Sequence, residues 1–248
     1  GFVLLKEEEN IEEKEFTNYT FSHYLENCHK VIKWEFENGK LIGKKSFLLK
    51  SDHTNIVVSG LEWIGSSQET SGCWDPGKYE GESTDQTKRL STAFCLLTFL
   101  GAGHTDRAGK YKKNVKIGIQ WLISEQQKDG SFASDNSING ICTWALAEAA
   151  GMGCGGAEVK NSAIKACQFI LNQQNVSGGF NDYGKSDNLE PGEYDKMAPT
   201  AWCVMGLKFA GLAGILEDKV KISFNKVKQL FENTINTKDN TLESKGHA

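Results

Sequence analysis

The sequence predicts an all-α fold whose tandem helix pairs curve into part or all of an α/α-toroid. Three observations carry that expectation. A five-position motif occurs three times without gaps. Each copy is followed by an apolar run at helical spacing. The chain holds only 3 prolines against 26 glycines, which permits long helices and supplies residues to stop them.

The motif reads aromatic, aliphatic, three residues, Gln, three residues, Gly, one residue, aromatic. Its first copy holds Trp63, Gln68, Gly72 and Trp74. The second holds Trp121, Gln126, Gly130 and Phe132, and the third holds Phe169, Gln174, Gly178 and Phe180. The spacing is 58 residues from Trp63 to Trp121 and 48 more to Phe169. Recurrence at such periods is the signature of a repeat architecture. The Gln falls where the last carbonyls of a helix lack partners, so its amide is expected to donate to them and to accept from a neighbouring loop. The Gly allows a sharp turn, and the aromatic after it packs on the Gln or on the next repeat.

A second helix follows each copy: Thr92 to Gly101, Thr143 to Gly151 and Thr200 to Gly211. A Thr opens each run and a Gly closes it, as helix caps do. After the third copy, Val220, Phe224, Val227, Leu230 and Phe231 keep helical spacing and predict the first helix of a fourth pair. This places the helical repeats in residues 56–235, a polar tail in 236–248, and an N-terminal cap or extension in 1–55. Within that extension, Ile32-Lys-Trp-Glu-Phe36 alternates, Asn38-Gly39 is a turn signal, and Leu41–Leu49 is apolar again. That pattern predicts a small β-hairpin, with a helix through Phe21–Trp34 as the competing reading. The acidic run Glu7–Glu15 reads as a solvated segment or helix.

The spacing of the three copies resembles the QW motif of the prenyltransferase and squalene-cyclase repeat superfamily. The wording Phe99-Leu-Gly-Ala-Gly-His104, Trp121 to Phe132 and Gly140 to Met152 is similar to bacterial proteins carrying prenyltransferase/squalene oxidase repeats. The resemblance covers roughly residues 56–213 and implies helix pairs around an apolar central cavity. It also implies a hydrophobic isoprenoid ligand, a polyprenyl or triterpene chain, bound or transformed there. Three and a half pairs fall short of the six or so that close a ring in the resembling families. The array ends are therefore covered by residues 1–55, by a second chain, or by a further C-terminal half.

Two chemistries of the resembling families lack their residues here. Class II cyclases protonate an alkene with a D-x-D-D cluster, and this chain has no D-x-D. Protein prenyltransferases hold zinc, and the matching positions are Asn139, Ile141 and Pro199, none of them a zinc ligand. No metal and no cofactor is expected. The segment Gly151 to Glu158 is similar to a thioester segment but lacks the Gln that would join Cys154, so it reads as a glycine-rich turn.

The remaining candidates come from position. Asp85 and Asp195 precede inner helices, at the ends that face the cavity mouth in the resembling folds, and are candidate catalytic acids with His104, which Asp106 could orient as a base. Phe94, Trp144, Trp202 and Arg89 are candidate substrate contacts. The alternatives to an isoprenoid protein are a non-catalytic helical-repeat binding or scaffold module and a polysaccharide lyase. A uronate substrate would ask for clustered Arg and Lys that the chain does not show.

A net charge of -4 gives no basic surplus for nucleic acid. The longest apolar runs, Phe94–Ala102 and Ile141–Ala150, are far short of the ~20 residues of a membrane span. Phe2–Leu5 is too short for the core of a signal peptide. Seven cysteines with no C-x-x-C pair, four of them in apolar helical stretches, point to a reducing compartment such as the cytoplasm.

Overall fold

The computed structural model describes the backbone of residues 3–4, 18–25, 30–37, 40–48, 52–185, 196–236 and 241–242, with side chains over 56–185 and 196–232. It divides into two compact units, Gly1–Gly60 and Leu61–Ala248.

The first unit contains a four-stranded antiparallel meander. Its strands are β1 (Val3–Leu4), β2 (Asn18–Leu25), β3 (Lys30–Glu37) and β4 (Lys40–Leu48). The β3–β4 pair is the hairpin that the alternation predicts; a register shift at Glu35/Phe36 marks a bulge opposite Leu41–Gly43. The competing helix over Phe21–Trp34 does not form, because Phe21 pairs with Trp34 across β2 and β3. Tyr19, Thr20, Phe21 and Tyr24 favour a pleated strand over a helix. The acidic run Glu7–Glu15 lies outside the described residues.

The second unit is built from helices. They are α1 (Asp52–Ser66, which begins in the first unit), α2 (Asp85–Gly101), α3 (Lys112–Ser124), α4 (Asn136–Gly151), α5 (Gly156–Gln173), α6 (Met197–Leu212) and α7 (Glu217–Thr234). The all-α expectation holds for this unit, and α7 is the predicted first helix of a fourth pair. A two-residue ladder, β5 (Ile235–Asn236) with β6 (Thr241–Leu242), follows it. The helices form two rows. α2, α4 and α6 lie side by side with α4 in the middle and are called the inner helices; α3, α5 and α7 neighbour one another in the other row and, with α1, are called the outer helices. The core between them is apolar, with Phe99, Leu122, Phe132, Leu146, Ile170 and Phe180 fully buried.

The motif joins one outer helix to the next. Gln68 Nε2 donates to Gly72 O (2.8 Å) and to Asn114 O of α3 (3.0 Å), and Asn114 Nδ2 donates back to Gln68 Oε1 (2.8 Å). Gln126 repeats this with Gly130 O (3.0 Å) and Ser162 O of α5 (3.1 Å), and Ser162 Oγ donates back (2.7 Å). Gln174 donates to Gly178 O (2.8 Å) and Ser223 O of α7 (3.1 Å). The expected target, the last carbonyls of the Gln's own helix, is taken by other groups. Ser66 Oγ bonds Trp63 O, while Ser67 Oγ and Trp74 Nε1 bond Ile64 O. The amide is thereby free to bridge repeats.

The motif glycine is required twice over. Gly72, Gly130 and Gly178 have φ of 107°, 98° and 105°. A Cβ on any of them would lie 2.4 Å from a carbonyl of the next outer helix, at Ile117, Lys165 or Lys226. The left-handed turn and the close approach both exclude a side chain. The buried aromatics Trp74, Phe132 and Phe180 then enter the core, and their backbone N–H groups are caught by the inner helices: Thr92 Oγ1 (3.0 Å), Asn139 Oδ1 (2.7 Å) and Thr200 Oγ1 (3.0 Å).

Those three bonds correct the predicted register of the inner helices. Thr92, Asn139 and Thr200 are equivalent, and Thr143 lies a turn further on, bonded to Asn139 O within its own helix. None of Thr92, Thr143 and Thr200 caps a helix: the N-cap residues are Thr84, Asp135 and Lys196. A cysteine follows three residues after each equivalent position, at Cys95, Cys142 and Cys203. The Cys142 thiol donates to Arg89 O and the Cys203 thiol to Asn136 O, so Arg89 and Asn136 are also equivalent. The helix ends repeat too. Gly103, Gly153 and Gly214 take φ of 81°, 75° and 71°. The next residue in each case donates back five positions, as His104 N to Phe99 O, Cys154 N to Ala149 O and Ile215 N to Ala210 O. These are Schellman ends, whose glycine is C′.

Candidate functional site

The inner helices place aromatic rings on one side of their row. Phe94 of α2 and Trp202 of α6 come from the helices on either side of α4, and their rings meet edge to face at 5.8 Å. Trp144 of α4 stacks on Phe209 of α6 at 5.0 Å. Phe94 is 39% exposed, while Trp144, Trp202 and Phe209 are half-buried. The backbones of α4 and α6 are close enough for this because Gly140 and Gly206 carry no side chain where the helices meet; a Cβ on Gly140 would lie 2.6 Å from Trp202 C, and one on Gly206 2.6 Å from Gly140 O. Trp144 Nε1 donates to Glu148 Oε2 (2.8 Å), which sets one carboxylate beside the rings. Three of the sequence-predicted ligand contacts, Phe94, Trp144 and Trp202, therefore share one face. Phe209 and Glu148 complete it and were missed, although Phe209 stands seven residues after Trp202 on the same helical stripe.

Arg89 does something else. Its Nε and Nη2 bond Glu125 Oε2 (2.9 and 2.7 Å), and its Nη1 bonds Phe132 O (2.7 Å). The side chain is 14% exposed, so the guanidinium is spent on joining α2 to the end of α3 and to the motif turn.

The three catalytic candidates are not brought together. Asp85 is the exposed first residue of α2. Asp195 lies outside the described residues. His104 occupies the residue after the Schellman glycine, the place held by buried Cys154 and Ile215 in the other copies. Its ring packs against Phe99 and Tyr111. No hydrogen bond joins it to Asp106, whose Oδ2 accepts from Gly155 N (2.9 Å). His104 Nδ1, Asp106 Oδ1 and Tyr111 Oη are buried at this corner without a hydrogen-bond partner among the described residues.

The zinc-equivalent positions are structural as well. Asn139 accepts from the N–H groups of Phe132 and Ala133 and donates to Ala133 O. Among the described residues no cluster of His, Cys, Asp or Glu could hold a metal. Five of the described cysteines are shielded thiols: desolvation pushes Cys95 and Cys167 up to about 12 and raises Cys142, Cys203 and Cys154 as well. Around Cys154, Gly153, Gly155 and Gly156 all take positive φ, as a glycine-rich turn requires.

An open depression of about 490 Å³ lies at the turn end of the rows. Gln86, Gln127, Ser134, Asn136 and Gln173 contribute polar groups to it, and Phe169 contributes a ring. No described helix is long and apolar enough to cross a membrane. No protein-family model and no curated protein matches the chain.

Proposed function

We infer that the chain is a helical-repeat binding module that holds an apolar, isoprenoid-class ligand on the aromatic face of its inner helices. One observation carries the reading: the rings of Phe94 and Trp202 meet from helices on opposite sides of α4. Side chains that touch across an intervening helix need a row that bends toward them. Bending of that sense, continued over further pairs, is the geometry of an α/α-toroid with its apolar side inward. Aromatic rings give such a face large contact area without hydrogen-bonding demands, which suits a hydrocarbon chain. The isoprenoid class itself rests on the resemblance of the Gln–aromatic motif, which is analogy at the level of fold. The reading assigns binding and no chemical step.

The test is thermal shift and tryptophan fluorescence with squalene and geranylgeraniol, alongside mass spectrometry of an organic extract of the purified protein. The reading expects stabilisation by at least one of them, weakened by Trp202→Ala and by Phe94→Ala. An extract free of isoprenoid together with no shift would sink it. A second reading, a scaffold whose face takes a protein partner, is favoured by Met197 and Leu212, which are 61% and 73% exposed on α6. A partner that competes with neither lipid yet is lost on Leu212→Asp would establish that reading instead.

A further inference from the structure

The junctions between repeats are built alike, so a junction that departs from the pattern is informative. At the first junction Arg89 reaches forward to Glu125 and to Phe132 O, and the ion pair fills the space between α2 and the end of α3. The equivalent residues one repeat later follow from the structural register. Asn136 replaces Arg89, because each has its carbonyl bonded by the next inner helix's cysteine. Gln173 replaces Glu125, each being four residues after the motif aromatic, Phe169 or Trp121. Asn136 still reaches the following turn, with Nδ2 on Asn181 O (3.0 Å). It is too short to meet Gln173, and the depression of about 490 Å³ opens between them.

The groove's chemistry selects a class of ligand. The Gln173 side chain makes no hydrogen bond among the described residues. The Gln127 side chain is held only at 3.4 Å, by the Glu125 carbonyl, and the Ser134 hydroxyl at 3.3 Å, by Gln86. Asp129 spends Oδ1 on the N–H and hydroxyl of Ser131, which also hold its carboxyl below the usual carboxylate range, and its exposed side chain keeps Oδ2 without a bond among the described residues. Phe169 lays a half-buried ring in the wall. The one cation present, Arg89, is already neutralised by Glu125, and the Asp129 charge repels anions. Amides, a hydroxyl and an acceptor-only carboxylate around one aromatic surface match a neutral polyhydroxyl ring, with its C–H face on Phe169 and its hydroxyls on the amides. The volume falls within the roughly 300–1,000 Å³ of small-molecule sites.

We propose that the Asn136–Gln173 groove is a binding site for a neutral saccharide. The site is separate from the aromatic face, and it stands whether or not that face takes an isoprenoid.

The whole chain is titrated with maltose, cellobiose and diacetylchitobiose by calorimetry and saturation-transfer NMR. At least one is expected to bind with a Kd below about 10 mM, a loose limit for a small open site. Two variants locate it. Asn136→Arg with Gln173→Glu rebuilds the first junction's ion pair inside the groove. It is expected to keep or raise the thermal midpoint and abolish the binding. Asp129→Asn sits at an exposed position and keeps the fold, and it is expected to weaken binding about tenfold. No binding by any of the three sugars overturns the proposal. So does binding that Asp129→Asn and the double variant leave unchanged, since the sugar would then sit elsewhere.

Discussion

Replacing Gln126 by Ala tests whether the motif glutamine is the bridge between repeats. The amide makes three bonds in one place: to Gly130 O at 3.0 Å, to Ser162 O at 3.1 Å and from Ser162 Oγ at 2.7 Å. Each such bond contributes about 0.5–1.5 kcal/mol net, and Ser162 is left buried without its acceptor. The loss comes to about 2–4 kcal/mol. For a domain of this size each kcal/mol moves the midpoint by about 2–4 °C, so the melt should fall by about 5–15 °C. The assay is a thermal melt followed by circular dichroism, with urea unfolding to check that the slope is unchanged. Ser162→Ala removes only the return bond and should cost about 1 kcal/mol. Its counterpart in the third repeat behaves differently, because Ser223 Oγ has no partner among the described residues and Ser223→Ala should be close to neutral. A loss below about 0.5 kcal/mol for Gln126→Ala, or equal losses for the two serines, would refute the bridging role.

Other perturbations follow from the same junctions. Gly178→Ala puts a Cβ 2.4 Å from Lys226 O at φ 105°, and urea unfolding should show a loss of about 3–5 kcal/mol. Arg89→Met strands Glu125 and one acceptor at Phe132 O. It should cost about 1–3 kcal/mol in the same assay, with part recovered in Arg89→Met/Glu125→Met. Cys95, Cys142, Cys167 and Cys203 should react with a disulfide reagent at pH 8 only as fast as the fold opens; rapid labelling of any of them, mapped by peptide mass, would contradict their raised thiol pKa values. The lowered carboxyl of Asp129 contributes stability that is full above its unfolded value, near pH 4, and is lost as pH falls through the folded one. Asp129→Asn should therefore flatten the acid limb of the pH–stability curve.

The motif was legible because its positions have demands few residues meet. A glycine whose Cβ would strike a backbone carbonyl and a glutamine with donor and acceptor on one planar group leave little freedom, so spacing and type both survive. The register of the inner helices was not legible in the same way. Thr92, Asn139 and Thr200 do one job with different residues, since hydroxyl and amide oxygens both accept an N–H. Aligning on threonine put α4 one turn out, whereas aligning on Cys95, Cys142 and Cys203 would have found it. His104 stood out as a loop histidine because its type suggests proton transfer; its position shows a helix end that an apolar side chain fills in the other two copies. Strand β2 escaped notice although Tyr19, Phe21 and Leu25 alternate with Asn18, Thr20 and Ser22, because its second half was also read as the start of a helix over Phe21–Trp34. The aromatic face was partly legible: Phe94, Trp144 and Trp202 follow from the inner runs, but Glu148 reads as an ordinary helix acid until its bond to Trp144 is seen.

A tandem array carries its own control, and that control separates scaffold from site. Where three copies keep one interaction, as with the glutamine bridge and the turn glycine, the interaction answers a demand of the stack and says nothing of function. Where the copies keep a property but change the residue, the demand comes from something less specific than a neighbouring side chain. The positions of Phe94, Ile141 and Trp202 are equivalent and all apolar, as are those of Leu97, Trp144 and Met205. A packed core would hold their sizes within narrow limits, because a change of one methylene is felt there. Ile141 is 3% exposed and Phe94 39% exposed, so the unlike sizes at these positions follow unlike surroundings. Where a copy breaks an interaction outright, as Arg89–Glu125 becomes Asn136 and Gln173, the lost contact leaves space and unspent hydrogen-bonding groups. Such a gap weakens the stack, and the array has the means to close it with the pair it uses one repeat earlier. That it stays open at the second junction is the argument for looking there for a ligand.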